Sequence, residues 1–366
     1  MVELTWRHVI ARRLARSYLL DAAPRTELVD VVRDVGLIQA QVLPAAEIGV
    51  CVRVCGLTVA DVRRELYERR TLVKTWSIRG TLHLVPANEL PFWAAAVRGP
   101  KPFWESREWL TKHGLTPKRA AALFDAIADA LAGRCLTRVE LAEEVAARLG
   151  RRHEKLLSAW GELLSPSALI GTLCFGPPQG GNVTFVRADE WIGGWNDEDG
   201  AEARREALRR YLRTYGPAKS DDFRRWSGFA RDVSRQLFDE LAGELEQVRI
   251  EGARAWLLRG DADELDREPA GVRLLPQYDT YIIGFRTREP ILPEPVKERI
   301  KRDPKGRLES VTGMSPLVVD GVVTGFWRRS RDGNDVRVEV EHVVPLRRGR
   351  RRELEAAVER MQEILS

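Results

Sequence analysis

The 366-residue chain carries no H-E-x-x-H, no Walker loop, no dinucleotide G-x-G-x-x-G and no G-x-S-x-G elbow. These absences argue against zinc proteases, P-loop enzymes, nicotinamide enzymes and α/β-hydrolases. Histidine is scarce, five in all, and no two stand at metal-ligand spacing, so the expectation is no metal and no cofactor. The four cysteines form no C-x-x-C, which argues against a zinc site. Cys51 and Cys55 alternate with valines in V-C-V-R-V-C, a strand-like pattern in which they lie too far apart for a disulfide. All four cysteines read as small buried hydrophobes. No apolar run approaches the length of a membrane span, and Met1–Arg16 has no hydrophobic signal core. A cytoplasmic protein with no membrane partner is expected.

What the chain has is arginine. The net charge is only +5, but doublets recur at Arg12-Arg13, Arg63-Arg64, Arg69-Arg70, Arg204-Arg205, Arg209-Arg210, Arg224-Arg225 and Arg328-Arg329. Guanidinium forks suit phosphate, which points to a polyanion. The plainer alternative is that arginine and glutamate together cover solvated helix faces.

The pattern of elements is α+β, and one plan recurs: short helices followed by a β-hairpin, the winged-helix arrangement. Four regions follow. Residues 1–132 hold a first unit with flanking helices, 133–192 a second unit, 200–260 a third, and 261–366 an antiparallel β region with a terminal helix. In the first, helices are expected over Trp6–Leu19 and Glu27–Val35, a strand over Ile48–Val54, a helix Val59–Glu68, and strands Leu72–Ile78 and Thr81–Val85. In the second, Thr137 and Glu140 form a capping box. A helix near Glu154–Leu164 and strands Leu169–Phe175 and Asn182–Arg187 follow, with G-P-P-Q-G-G as the wing tip. In the third, Ser220 caps a helix, Asp232–Leu241 is the third helix, and Leu245–Ile250 with Ala255–Leu258 form the wing. The last region reads as strands Val272–Leu275, Thr280–Phe285, Leu317–Val319, Val322–Arg328 and Val336–His342, with hairpin turns at Asp320-Gly321 and Asp332-Gly333. The helix Arg352–Leu365 closes the chain. No heptad for dimerisation is present, so a monomer is expected.

Three stretches invite chemistry. V-G-L-I-Q-A-Q-V-L-P places Gln39 and Gln41 one residue apart in an apolar run, where unpaired amides cost roughly 1–3 kcal/mol each. If the segment is extended, both amides point the same way; on a helix they diverge. Gly36 and Pro44 favour the extended form. T-W-S-I-R-G-T-L-H-L-V, if extended, sets Arg79, Thr81 and His83 on one face, fit for a phosphate or base edge. The alternative is a merely solvated face with His83 bonded to a neighbour. In R-L-L-P-Q-Y-D-T-Y-I-I-G-F-R-T-R, Asp279 either orients an arginine or a water, or caps the turn after Pro276. Trp6, Trp76, Trp104, Trp160, Trp226 and Trp327 lie near arginines and are either base-stacking groups or core anchors.

With winged-helix units, abundant arginine, L-I-Q-A-Q, R-G-T-L-H and L-L-P-Q-Y-D-T-Y-I-I-G-F-R in view, the chain resembles the AlkZ/YcaQ type of bacterial DNA glycosylases over nearly its whole length. That family's signature is Gln, an apolar residue, then Gln or Asp, which Gln39-Ala40-Gln41 matches in its Gln–Gln form. The resemblance implies a DNA glycosylase of the crosslink-unhooking branch, associated with azinomycin-type lesions and antibiotic self-resistance, and the lack of a lysine near the glutamines points to a monofunctional one. Gln39 and Gln41 are then catalytic, while the residue patterns above make Asp279 a candidate support and Arg79, Thr81, His83, Arg328 and Arg329 candidate DNA contacts. The partner is double-stranded DNA bearing alkylated or crosslinked guanine, and the location nucleoid-associated. The competing reading is a non-catalytic winged-helix transcriptional regulator.

Overall fold

A computed structural model describes residues 2–150, 161–261, 265–285, 287–302, 313–332 and 335–366. Local sequence signals account for most helix starts. Thr5 caps the helix Trp6–Arg16, Thr116 caps Pro117–Leu131, and Thr137 with Glu140 makes the capping box of Arg138–Leu149. Each side chain takes an N-terminal amide that has no partner within its own helix. Lys219, not Ser220, is the N-cap of Ser220–Ser227, and the Asp222 carboxylate accepts from its amide at 2.8 Å. The fold is α+β, with helix-turn-helix-like units, β-hairpins and a C-terminal antiparallel sheet.

The chain divides into two compact units. One joins the residues up to Arg63 with Leu208–Ser366; the other is Arg64–Ala207. In the first, helices Ser220–Ser227 and Arg231–Glu240 lead into the hairpin Leu245–Ile250 and Ala253–Leu258. The strand Glu3–Leu4 joins that hairpin in parallel, pairing Glu3 with Arg249 and Leu4 with Ile250. Val272–Leu274, Pro316–Val319, Val322–Asp332 and Asp335–His342 make a four-stranded sheet in chain order. Asp320 and Gly321 both take left-handed φ, 49° and 80°, as a tight hairpin turn of primed type requires. The core of this part gathers Ile10, Leu14, Tyr281, Phe285, Val318 and Phe326.

The second unit contains a winged-helix sheet, Leu136–Thr137, Asn182–Val186 and Cys174–Gln179, packed with Pro117–Leu131 and Arg138–Leu149 around Leu123, Ile127, Leu141 and Phe185. It also holds the hairpin Leu72–Trp76 and Leu82–Pro86. The expected first region, 1–132, is thus shared between the two units.

Several expectations are overturned. Ile48–Val54 is no strand: a helix runs Leu43–Cys51, buried from Ala45 onward. Pro44 sits in its first turn, where a missing N–H is harmless, and a helix buried on all sides shows no amphipathic period to betray it. Thr280–Phe285 is likewise a helix, Thr280–Gly284, started by Asp279. Leu169 ends a short helix, Ser165–Leu169, and the strand begins only at Cys174. That strand continues through Pro177 and Pro178, with an irregular register between Gly176 and Gln179, so only Gly180-Gly181 form the turn. Helices Arg107–Lys112 and Glu294–Lys301 were not anticipated. Cys51 and Cys174 are buried, but Cys55 is exposed and Cys135 half-buried. Most of the expected helix Glu154–Leu164, with Trp160, and the Gly333 turn lie outside the described residues.

Candidate active site

The segment carrying Gln39 and Gln41 is set by the way the preceding helix stops. Leu28–Asp34 ends in a Schellman closure: the Leu37 amide donates to Val32 O at 3.3 Å and the Gly36 amide to Arg33 O at 3.1 Å. Gly36 takes φ 68° and Leu37 φ 78°. The second value is strained for a branched side chain, and burial of Leu37 holds it there. A Cβ on Gly36 would stand 3.0 Å from Trp226 Cζ2, so any side chain here presses on that ring as well as straining the turn. The helix end is also tied down from outside. Tyr215 Oη donates to Val35 O at 2.7 Å and Thr214 Oγ1 to Asp34 O.

From there the backbone is extended through Ile38–Gln39 and stays non-helical until Val42, with φ −115° and ψ 100°. Burial alternates along it. Ile38 and Ala40 are buried, Gln39 is half-buried and Gln41 exposed. The extended form expected from Gly36 is therefore the one adopted, but it ends sooner than Pro44. Helix Leu43–Cys51 begins two residues after Gln41. Its Glu47 is fully buried and its carboxylate is gripped by Arg63, Nε to Oε1 at 2.7 Å and Nη2 to Oε2 at 3.0 Å.

Asp279 does both things the sequence allowed. Its Oδ1 accepts from the Tyr281 amide at 2.9 Å, capping Thr280–Gly284. Its two oxygens also take a two-pronged contact from Arg53, at 2.7 and 2.8 Å. Both side chains are closed to solvent. Burial, the largest single influence, pulls the Arg53 guanidinium down, and the Asp279 charge and the hydrogen bonds to it together outweigh that, leaving Arg53 above its ordinary value. Sequence reasoning missed Arg53, Glu47 and Arg63. The available signal was a charged residue within V-C-V-R-V-C, since an arginine in an apolar run needs a carboxylate partner.

The hairpin residues Arg79, Thr81 and His83 do not form one open row. Strands Leu72–Trp76 and Leu82–Pro86 are buried at every position. His83 is 1% exposed; its Nδ1–H donates to Thr81 O at 3.0 Å and its Nε2 accepts from Arg79 Nη2 at 3.2 Å. Burial, then the Arg79 charge, hold its pKa well below the ordinary imidazole value, so it is neutral. Arg79 sits at φ 58° in the turn Ile78–Gly80, half-buried, as is Thr81. Arg328 and Arg329 are exposed on the long strand Val322–Asp332, with Arg328 Nε 2.7 Å from Glu339. Among the tryptophans, Trp76, Trp104, Trp226 and Trp327 are buried and Trp6 is half-buried. Lys74 is buried too, its Nζ 4.7 Å over the Phe175 ring. Among the described residues no helix is long and apolar enough to cross a membrane.

Comparison with known proteins adds family evidence to this geometry. The sequence matches the family described as DNA glycosylase AlkZ-like over residues 32–364. It is 33% identical over 340 residues to an interstrand DNA cross-link repair glycosylase of Streptomyces sahachiroi, covering 89% of this chain and 88% of that protein. The solved structure of Streptomyces sahachiroi DNA glycosylase AlkZ superposes with a TM-score of 0.84 at 29% identity, covering 99% of this chain and 97% of that one.

Proposed function

The chain belongs to the AlkZ-like DNA glycosylase family, and from that premise we propose that it hydrolyses the N-glycosidic bond of N7-alkylguanine, interstrand crosslinks included. Gln39 and Gln41 position the water. The observation that carries this reading is the alternation around Ala40: half-buried Gln39 and exposed Gln41 flank a buried residue on a backbone tied down at the preceding helix end. The relative named for cross-link repair supports the crosslink as substrate.

Two uncharged amides suffice because alkylation has already done most of the work. The N7-alkylated base is cationic. As the C1′–N9 bond breaks, its electron pair passes to the base, which leaves neutral without a general acid. Water oxygen bonds to C1′, and the water proton passes to solvent, leaving an abasic site. A glutamine carbonyl accepts from that water and faces the positive sugar, while its N–H groups hold a sugar or phosphate oxygen. Forgoing a charged base costs roughly 10²–10⁴ in rate, which a labile lesion tolerates and an intact nucleoside does not. The nearest following carboxylate, Glu47, is occupied by Arg63. Asp279 is occupied by Arg53. The same arrangement therefore favours damaged over normal guanine.

In this reading Arg79, Thr81, Arg328 and Arg329 contact the DNA backbone, and His83 acts through Arg79 by accepting its N–H. A crosslinked guanine is tethered across the duplex, so it is reached in place from a groove rather than extruded. The protein acts as a monomer and without a lyase step.

The test is direct. Crosslinked or N7-methylated duplex is incubated with protein, then heated in alkali to cut at abasic sites. Wild-type protein yields cleavage, and Gln39→Ala or Gln41→Ala yields none while salt-dependent binding persists. Loss of binding in those variants would make the glutamines structural. Binding without cleavage by the wild type would favour a regulator.

A further inference from the structure

The Arg53–Asp279 pair does more than fill a core position. Arg53 Nη1 donates to Gly49 O at 2.7 Å as well as to Asp279, and Nη2 donates to Thr280 Oγ1 at 3.1 Å as well as to Asp279. Gly49 O is one of the last carbonyls of helix Leu43–Cys51. The Arg53 amide goes instead to Val50 O, leaving Gly49 O for the guanidinium. Asp279 simultaneously caps the N-terminus of Thr280–Gly284. One carboxylate thus joins the end of one helix to the start of another.

The joint bears on the glutamines through Gly49. A Cβ there would lie 3.5 Å from Ile38 Cγ2, 3.7 Å from Pro276 Cγ and 3.9 Å from Asp279 Oδ2. The bare glycine face is where the residue before Gln39, the helix after Gln41 and the Pro276–Asp279 turn meet. That turn is itself held unusually, with Tyr278 at φ 59°. Stability alone gives weak reason for a buried ion pair, because apolar replacement of both partners is often neutral. What a two-pronged pair supplies beyond packing is direction.

We infer that Arg53 and Asp279 are positioning residues, which fix the backbone carrying Gln39 and Gln41 by locking helix Leu43–Cys51 to the Pro276–Asp279 turn. This rests on the glutamine mechanism above and deepens it. Neither residue touches substrate. Asp279 oxygens are filled by Arg53 and the Tyr281 amide, so the carboxylate acts only by placing its neighbours.

Two variants test it. Asp279→Asn keeps an acceptor for the Tyr281 amide but removes the charge. Arg53→Met combined with Asp279→Leu removes both charges and strands neither, so the fold survives even if the single variant does not. Single-turnover excision at saturating enzyme is expected to fall roughly 10²-fold, since displacement of about 1 Å at a reacting group costs that much. DNA affinity should stay within about twofold, because phosphate contacts set it. Hydrogen exchange of the amides at 37–43, read without DNA, should quicken roughly tenfold, with the remote hairpin 245–258 unchanged, because opening is local. Wild-type excision rates or unaltered exchange at 37–43 in both variants overturns the inference. So does equal loss of protection at 245–258, which would make the pair a fold determinant. Exchange needs no substrate, so it still decides the positioning if wild-type protein excises nothing, a result that sinks the glycosylase reading instead.

Discussion

Two short stretches, one in each unit, share a sequence logic and end differently. Around Gln39 and around His83, polar residues alternate with apolar ones beside a glycine, and each stretch contains a non-glycine residue at positive φ, Leu37 and Arg79. At the first, alternation separates buried Ile38 and Ala40 from half-buried Gln39 and exposed Gln41. At the second, both faces of the strand are covered, and His83 is as buried as the leucines beside it. Alternation tells which residues share a face. It does not tell whether that face meets water, which depends on what packs there.

The largest effect expected on this contrast is at the glutamines. Gln39→Ala and Gln41→Ala should each lower excision by at least roughly 10²-fold, whereas His83→Gln should leave excision within about threefold because its ring reaches substrate only through Arg79. Single-turnover assays compare them; an equal loss at His83 would make the two stretches one chemical unit. Next come the glycines. Gly36→Ala imposes left-handed strain and presses on Trp226, and should cost roughly 3 kcal/mol. Gly80→Ala has the same sign of φ but open space around it, and should cost about 1 kcal/mol. Urea denaturation of both variants measures the gap, and equal losses would show that Trp226 yields freely. Arg79→Ala should weaken DNA binding modestly and reduce the salt slope by about 1. A salt titration reads this, and an unchanged slope removes Arg79 from the interface.

The pH response sharpens the contrast further. His83 is neutral in the fold, with its pKa depressed by burial and by Arg79. Unfolded chain takes up that proton below the ordinary value of 6.5. Stability is therefore whole above that pH and is lost as pH falls below it toward the folded value. His83→Gln should flatten that acid limb in thermal denaturation, whereas excision itself should vary little between about pH 6 and 9 because no titrating group serves as base. A steep acidic limb in the rate would return a carboxylate to the mechanism. The smallest effect concerns thiols. Burial pushes the Cys51 thiol up to about 12, and Cys55 is exposed, so iodoacetamide should modify Cys55 and spare Cys51 in native protein, as peptide mapping would show.

Helix caps, the Asp320-Gly321 turn and the wing strands Leu245–Ile250 were legible because each depends on neighbours within a few residues. The helices Leu43–Cys51 and Thr280–Gly284 were not. Both are short and largely buried, so β-branched and apolar runs carried a strand-like signature that packing overrode. The Gln39-Ala40-Gln41 signature was visible in the chain. Asp279 was visible as a candidate support, but its partner Arg53 was not, because the two stand 226 residues apart.

By itself the sequence settled the α+β character, the family and the spacing of two glutamines about one apolar residue after a helix stop, since backbone period and local capping are short-range physics. Tertiary structure decided which alternating face stays open, which charges are consumed in internal pairs, and that one carboxylate joins two helix ends behind the glutamines. Those outcomes turn on which distant segments exclude water from a given side chain.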